Sequence, residues 1–373
     1  MLDFAFLDIL TGDKRGLLSR KFFLDTVAPL FYRPRVKKIV NLNPLAINGY
    51  QVLMPLGKGN WSALNGDTRG RLWRESGQLA EEFGLPVLAV NRALRFDPVQ
   101  QAISVPVTWG NYFILALALV LAEEVINHYG ADKLFLVGDF PGLPGLISLL
   151  GDKGVPIVVQ SFHPGRYEHI AHHMLYDQGV AMSVGYFHPG SWSPGDAVLL
   201  FDASYHRFIL GKKGSLLIGL TDDSRNHAPE LEQSLAHQKV DGSLKNLAPI
   251  LEAHLVTARR PPGHYPQKKV ALDWTPAFAS TPSPGAGRFT HPAFSGLKAA
   301  GSSPGDQEGG LDPADLAVSD TPYSTSRIVS YRLVADKILA VRQEGERLNL
   351  WGFFLDKDFR ALYNTIQGIE VAK

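Results

Sequence analysis

The chain has 373 residues, a formal net charge of +1 and no cysteine. Its length exceeds what one hydrophobic core usually serves, so two domains are expected, and the balanced charge gives no global attraction to nucleic acid or anionic lipid. Without cysteine, disulfides, thiolate metal sites and cysteine nucleophiles are excluded together.

Asp3 and Asp8 interrupt Met1 to Leu10, so no charged-then-apolar leader is expected there. Val36–Leu42 and Ile47–Met54 read as strands. A helix follows from Thr68 to Phe83, with Leu72, Leu79 and Phe83 at helical spacing and Gly84 as its stop. Leu85–Val90 is another strand. Residues 1–107 are therefore expected to form a small N-terminal α/β domain of substrate type. A long connecting helix starts near Thr108-Trp-Gly-Asn111 and runs to Tyr129 before Gly130, and Thr108 or Asn111 could cap its first turn. Its apolar run, Tyr112 to Ala122, is about half of the ~20 residues a membrane span needs. A cytoplasmic protein is the plain expectation.

Leu134-Phe-Leu-Val-Gly138-Asp-Phe-Pro-Gly142-Leu-Pro-Gly145 then breaks an apolar run into three glycines where a helix can begin. This is the form of the first strand and phosphate loop of a dinucleotide-binding fold, and Gly138, Gly142 and Gly145 are the candidate phosphate contacts. The spacing is altered, however, and Pro141 and Pro144 each remove a backbone donor from a loop whose value lies in its donors. Val155–Gln160, Val180–Val184, Ala197–Phe201 and Ser215–Gly219 are further apolar runs, with helix-length segments at Leu143–Leu150 and Arg166–Gln178 between the first of them. That alternation predicts parallel βαβ units and a Rossmann-like core from Asp132 to about Leu220, within a domain spanning 108–258.

The phrase Phe-His-Pro-Gly occurs at 162–165 and again at 187–190, each time just after a core strand. His163 and His188 could line the ligand edge of a parallel sheet, or His-Pro-Gly could be turn chemistry alone. His169 and His173 share a helix face and could hold a metal. Ile170 departs from the metalloprotease helix motif, and no metal is assigned. Pro229 can open a helix over Glu230–His237, and Leu244–Val256 is apolar-periodic. Residues 259–326 are rich in proline, glycine and serine and are expected to be a flexible insert, above all from 280 to 325. Order returns over 327–373, where Ile328, Tyr331, Val334, Ile338 and Val341 fall at helical spacing and Leu348–Phe354 is apolar. A tail with that pattern should dock back onto folded protein.

The run Ile47-Asn-Gly-Tyr-Gln-Val-Leu-Met-Pro55, the helix, the strand Val87–Val90, Val107-Thr-Trp-Gly-Asn111 and Leu134–Gly138 follow one another in an order with a family likeness. It resembles that of long-chain acyl-[acyl-carrier-protein] reductases and the related shikimate dehydrogenase-like two-domain enzymes, over roughly residues 36–220. Thr108-x-Gly110-Asn111 is similar to the T-G-N segment those enzymes place at the interdomain cleft beside the nicotinamide. The resemblance implies a nicotinamide-dependent oxidoreductase acting on a small carbonyl or hydroxy substrate, with Thr108 and Asn111 near the reacting ring. The reductases hold the acyl group on a cysteine, which this chain lacks. Lys58 stands near the place of the V-T-x-P-x-K lysine of shikimate dehydrogenases, but Tyr112 or Phe113 occupies the position of its aspartate partner. A desolvated Lys58 could carry a proton; a solvated loop lysine is the other reading. NAD-binding members carry an acidic residue at the end of the second core strand. Here Gln160 and Ser161 stand there with Arg166 five residues on, which suits the 2′-phosphate of NADP better than NAD. Ser161 as a helix cap and Arg166 as a surface side chain remain the alternative. A small-molecule substrate or nucleotide is the expected partner, with a homodimer a further expectation. A non-catalytic descendant of the fold and a histidine-based metal enzyme are the rival functions.

Overall fold

The computed structural model describes residues 2–13, 24–25, 31–95, 103, 105–209, 215–258 and 325–355, and the side chains of the last helix from Tyr331 onward. The first unit contains β1 (Phe4–Leu10), β2 (Arg35–Leu42), β3 (Ile47–Gly57), α1 (Lys58–Ala63), α2 (Gly66–Glu82), β4 (Leu88–Val90) and β5 (Val107–Thr108). Its sheet runs β2-β3-β1-β4-β5, with β2 antiparallel to β3 and the other pairs parallel. β1 lies at the centre, although sequence pattern did not mark it as a strand. Asp8 breaks its apolar run, but the carboxylate is accommodated, accepting hydrogen bonds from Gln51 (2.8 Å) and Asn91 (3.0 Å).

α3 (Asn111–Glu124) leads to β6 (Leu134–Val137), α4 (Leu143–Leu150), β7 (Ile157–Ser161), α5 (Glu168–Gln178), β8 (Met182–Tyr186), β9 (Ala197–Leu200) and β10 (Leu216–Gly219). This second sheet is wholly parallel in the order β10-β9-β6-β7-β8, so the chain winds outward in both directions from β6. That is the doubly wound arrangement with its topological switch between β6 and β9. The α/β fold class, with a Rossmann-like sheet and a smaller N-terminal α/β unit, is the one read from the sequence. α6 (Pro229–His237), α7 (Leu244–Ala258) and α8 (Thr325–Arg347) complete the described helices used below.

Phe113 to Ala122 of α3 are buried, as expected for a helix that is apolar all round and packed on every side. One apolar cluster joins Phe4, Phe6 and Ile47 of the first sheet to Leu136, Val159 and Leu199 of the second through α3, α7 and α8. Asn111–Tyr129, 19 residues with the π-turn included, is long and apolar enough to cross a membrane by composition, more than the shorter run suggested. Burial inside the fold accounts for that composition.

α8 returns to this core as expected: Ile338 is fully buried, and Trp351 stacks on Phe113 at 5.6 Å between ring centroids. The proline-, glycine- and serine-rich stretch 259–324, on which the flexible insert was expected, and residues 356–373 lie outside the described residues.

The docked tail brings a pH dependence. The His227 side chain is fully covered, 2.7 Å from Glu232 and against Phe354, while His254 on α7 lies near Glu344 and Arg347 of α8 and near Asp3. Burial pulls both imidazoles below their ordinary value, outweighing Glu232 in one case and Asp3 with Glu344 in the other. A depressed folded pKa leaves their stability intact above the unfolded value of about 6.5 and removes it as pH falls through the folded values. Lowering the pH from about 7.5 to 5.5 should therefore speed amide exchange across α8 more than across β6, after correction for intrinsic rates. Equal protection of α8 at both pH values would refute this.

Candidate functional site at the facing strand ends

The C-terminal ends of the parallel strands of the first sheet supply Asp8 within the last half of β1, Lys58 after β3, Asn91, Arg92 and Arg95 after β4, and Asn111 after β5. Asp222 follows β10 of the second sheet and meets them. Arg92 is fully buried. Its Nε donates to Asp222 at 2.7 Å, and its Nη1 donates to the Trp109 carbonyl at 2.8 Å and to the Asn111 side-chain oxygen at 2.7 Å. Its Nη2 is buried without a hydrogen-bond partner. Burial pushes the Arg92 guanidinium down to about 10 although Asp222 pulls the other way. Arg95 adds a second contact to Asp222 at 3.3 Å. Burial alone would raise Asp222, but Arg92, Arg95 and more weakly Lys58 hold its carboxyl below the usual range.

Lys58 is exposed, at the first turn of α1, whose Gly59 and Asn60 amides are fixed by the Asp13 carboxylate at 2.8 and 3.1 Å. Sequence gave it no acidic neighbour. The tertiary structure supplies Asp222, whose charge it feels without forming an ion pair.

Thr108-Trp-Gly-Asn111 is bound on all sides. The Thr108 hydroxyl donates to Glu252 of α7, whose carboxylate also takes the Phe113 amide at 2.8 Å and the Tyr112 amide, so Glu252 caps α3. Gly110 has φ +73°, and a Cβ there would lie 2.4–2.5 Å from the backbone at Ala248 and Pro249. Burial raises the Glu252 carboxyl above its ordinary range despite the hydrogen bonds from Thr108 and the two amides. Burial likewise lifts Asp8, and it pushes the Tyr112 hydroxyl up to about 12 with help from Glu252.

The glycine loop is equally occupied. Gly138 (φ +104°) lets Asp202 approach: a Cβ would be 2.9 Å from that of Asp202. Gly142 faces Leu115 of α3 and Val334 of α8, and Gly145 faces Val334 and Ala335 at 2.6–3.1 Å. The amide of Leu143 donates to Phe140 and that of Gly145 to Gly142, while Pro141 and Pro144 have none. Phe140 is buried between Phe201, 5.4 Å away, and the Arg92 guanidinium, 5.2 Å above its ring. The loop also carries Asp139. That carboxylate accepts from Ser161 (2.7 Å) and Tyr167 (3.1 Å) and faces His163 Nδ1 at 3.2 Å and Arg166 at 3.7 Å. Burial and Asp139 together raise the Tyr167 hydroxyl. Ser161 and Arg166 thus converge, but on a carboxylate of the chain itself.

The repeated Phe-His-Pro-Gly phrases place Phe162 and Phe187 around Tyr205, at 4.3 and 4.7 Å between centroids. His163 is exposed and held by Asp139, whereas the His188 ring lies over Gly190. The two imidazoles therefore have different settings. Among the described residues no group of three or more metal-ligating side chains occurs, and His169 is bonded to Tyr331 instead. Sequence reading missed Arg92, Asp139, Asp222 and Glu252. Asp139 and Glu252 did leave a signal, each an acid inside an apolar or glycine-rich segment; Arg92 and Asp222 left only their places after strands.

No protein-family model matches the chain, those of the acyl-carrier reductases and shikimate dehydrogenases included, and no curated protein matches it. Among solved structures, it is similar to L-tryptophan dehydrogenase from Nostoc punctiforme, with 12% identity over 69% of this chain and 75% of that one, at a TM-score of 0.34.

Proposed function

We propose that this chain is a small-molecule-binding descendant of the two-sheet dehydrogenase-like architecture, taking a small anionic metabolite where the strand ends of its two sheets face each other. A surplus of one positive charge there carries the reading. Lys58, Arg92 and Arg95 face two carboxylates, Asp222 and the Asp13 that holds the first amides of α1, while burial biases Asp8 and Glu252 toward their neutral forms. A carboxylate ligand would complement that surplus and could meet the unpartnered Nη2 of Arg92. The glycine loop, with two prolines that lack an N–H and the Asp139 carboxylate beside them, speaks against a dinucleotide grip.

The nicotinamide-dependent oxidoreductase, with NADP or NAD and a small carbonyl or hydroxy substrate, is the second reading. It is favoured by one observation: Lys58, the candidate proton carrier, lies within the electrostatic reach of Asp222 from the other sheet. Calorimetric titration of the full chain with NADPH, NADH, oxalate and pyruvate separates the two. The first reading expects oxalate or pyruvate to bind, binding to weaken at least about tenfold in K58Q and R95Q, and neither cofactor to bind up to about 1 mM. Tight NADPH or NADH binding would replace it with the second reading, and silence from all four probes would sink both.

A further inference from the structure

We propose that β8 is the docking edge for a second copy of this chain, paired antiparallel to its own twin across a two-fold axis. Parallel sheets normally have both faces covered by helices, which leaves their edges, and an unpaired strand edge is a template for pairing unless something blocks it. The edge strands differ. β2, at one edge of the first sheet, carries Arg35, Lys37 and Lys38, the charges that keep a strand edge from pairing. β8, at one edge of the second, reads Met-Ser-Val-Gly-Tyr and carries none; the other uncharged edges, β5 and β10, are shorter, at two and four residues. The uncharged stretch is longer than the strand: from Gly179 to Pro194 there is no lysine, arginine, aspartate or glutamate.

Among the described residues β8 pairs with β7 and with no other strand. Tyr186 at its end is 74% exposed, and Leu175 and Tyr176 at the end of the neighbouring α5 are 48% and 78% exposed. A strand without charges cannot select a partner by charge, but it complements itself, because backbone donors and acceptors match their own two-fold image. The exposed rings and Leu175 supply the apolar area that five backbone residues alone would lack. The occupant that fits is therefore a second copy, and the union would make one ten-stranded sheet.

Sedimentation velocity of the full chain at about 1–100 μM provides the test. The wild type should sediment with twice the 40.9 kDa mass of one chain. Ser183→Lys places a charge at an exposed edge position, as β2 does naturally, and should weaken association at least about a hundredfold with an unchanged circular dichroism spectrum. Tyr186→Lys should act in the same direction. A wild type that stays at one chain mass over the whole range would overturn the proposal. So would a dimer that neither variant weakens, because its contact would then lie elsewhere.

Discussion

Arg92→Met is expected to lower stability by about 3–5 kcal/mol, the usual consequence of breaking a buried, hydrogen-bonded charge pair from one side. Arg92 joins the two sheets through one planar group. It reaches Asp222 after β10 of the second sheet, the Trp109 carbonyl and Asn111 beside the start of α3, and the Phe140 ring in the glycine loop. Methionine fills much of the volume but leaves that carbonyl and the Asn111 oxygen without their donor. Arg92→Lys keeps the charge yet cannot reproduce the fork, so it should recover only part of the loss. Urea unfolding followed by tryptophan emission reads the effect directly, since Trp109 packs on Trp73 at 6.0 Å. Because the partners act as a unit, adding Asp222→Asn to Arg92→Met should cost little more than Arg92→Met alone. A loss below about 1 kcal/mol for Arg92→Met would mean that the sheets are held together by apolar packing alone.

Glu252→Ala should have a comparable effect for a different reason. Its carboxyl satisfies the Thr108 hydroxyl and two amides of the first turn of α3, and each orphaned buried donor costs about 1–3 kcal/mol. Glu252→Gln retains an accepting oxygen and should be much milder. The pair of variants also exposes a pH dependence. Burial raises the folded pKa of Glu252, so the stability it contributes is fully present below the ordinary carboxyl value and is lost as pH rises through the raised one. Glu252→Gln cannot titrate and should flatten that decline, measured as urea midpoints between about pH 4.5 and 8. Equal stability of Glu252→Ala and wild type would show that α3 needs no cap from α7.

These two residues illustrate where pattern reading stops. Glu252 is one of four polar letters within Leu244–Val256, with Lys245, Asn246 and His254, and nothing local says that it faces the start of a helix more than a hundred residues earlier. The glycine loop shows the opposite failure. Gly138, Gly142 and Gly145 were read as phosphate contacts, but sequence could not say what stands against them: Asp202 at Gly138, Leu115 and Val334 at Gly142, and Val334 with Ala335 at Gly145. Pro141 and Pro144, by contrast, disclosed the missing donors without any structure, because proline lacks an N–H wherever it stands.

Sequence by itself determined the strands and helices of the second unit, its parallel class and the return of the tail, because burial on two faces and helical periodicity are local patterns written in consecutive residues. It also named Lys58, Thr108, Asn111, Ser161 and Arg166. Only the tertiary structure decided what those residues touch. Thr108 gained Glu252, Asn111 gained Arg92, and Ser161 with Arg166 gained Asp139, while Lys58 gained the charge of Asp222 without touching it. A buried polar group takes whichever partner the packing brings within reach, and that choice depends on strand order and helix docking, which spacing along the chain does not encode.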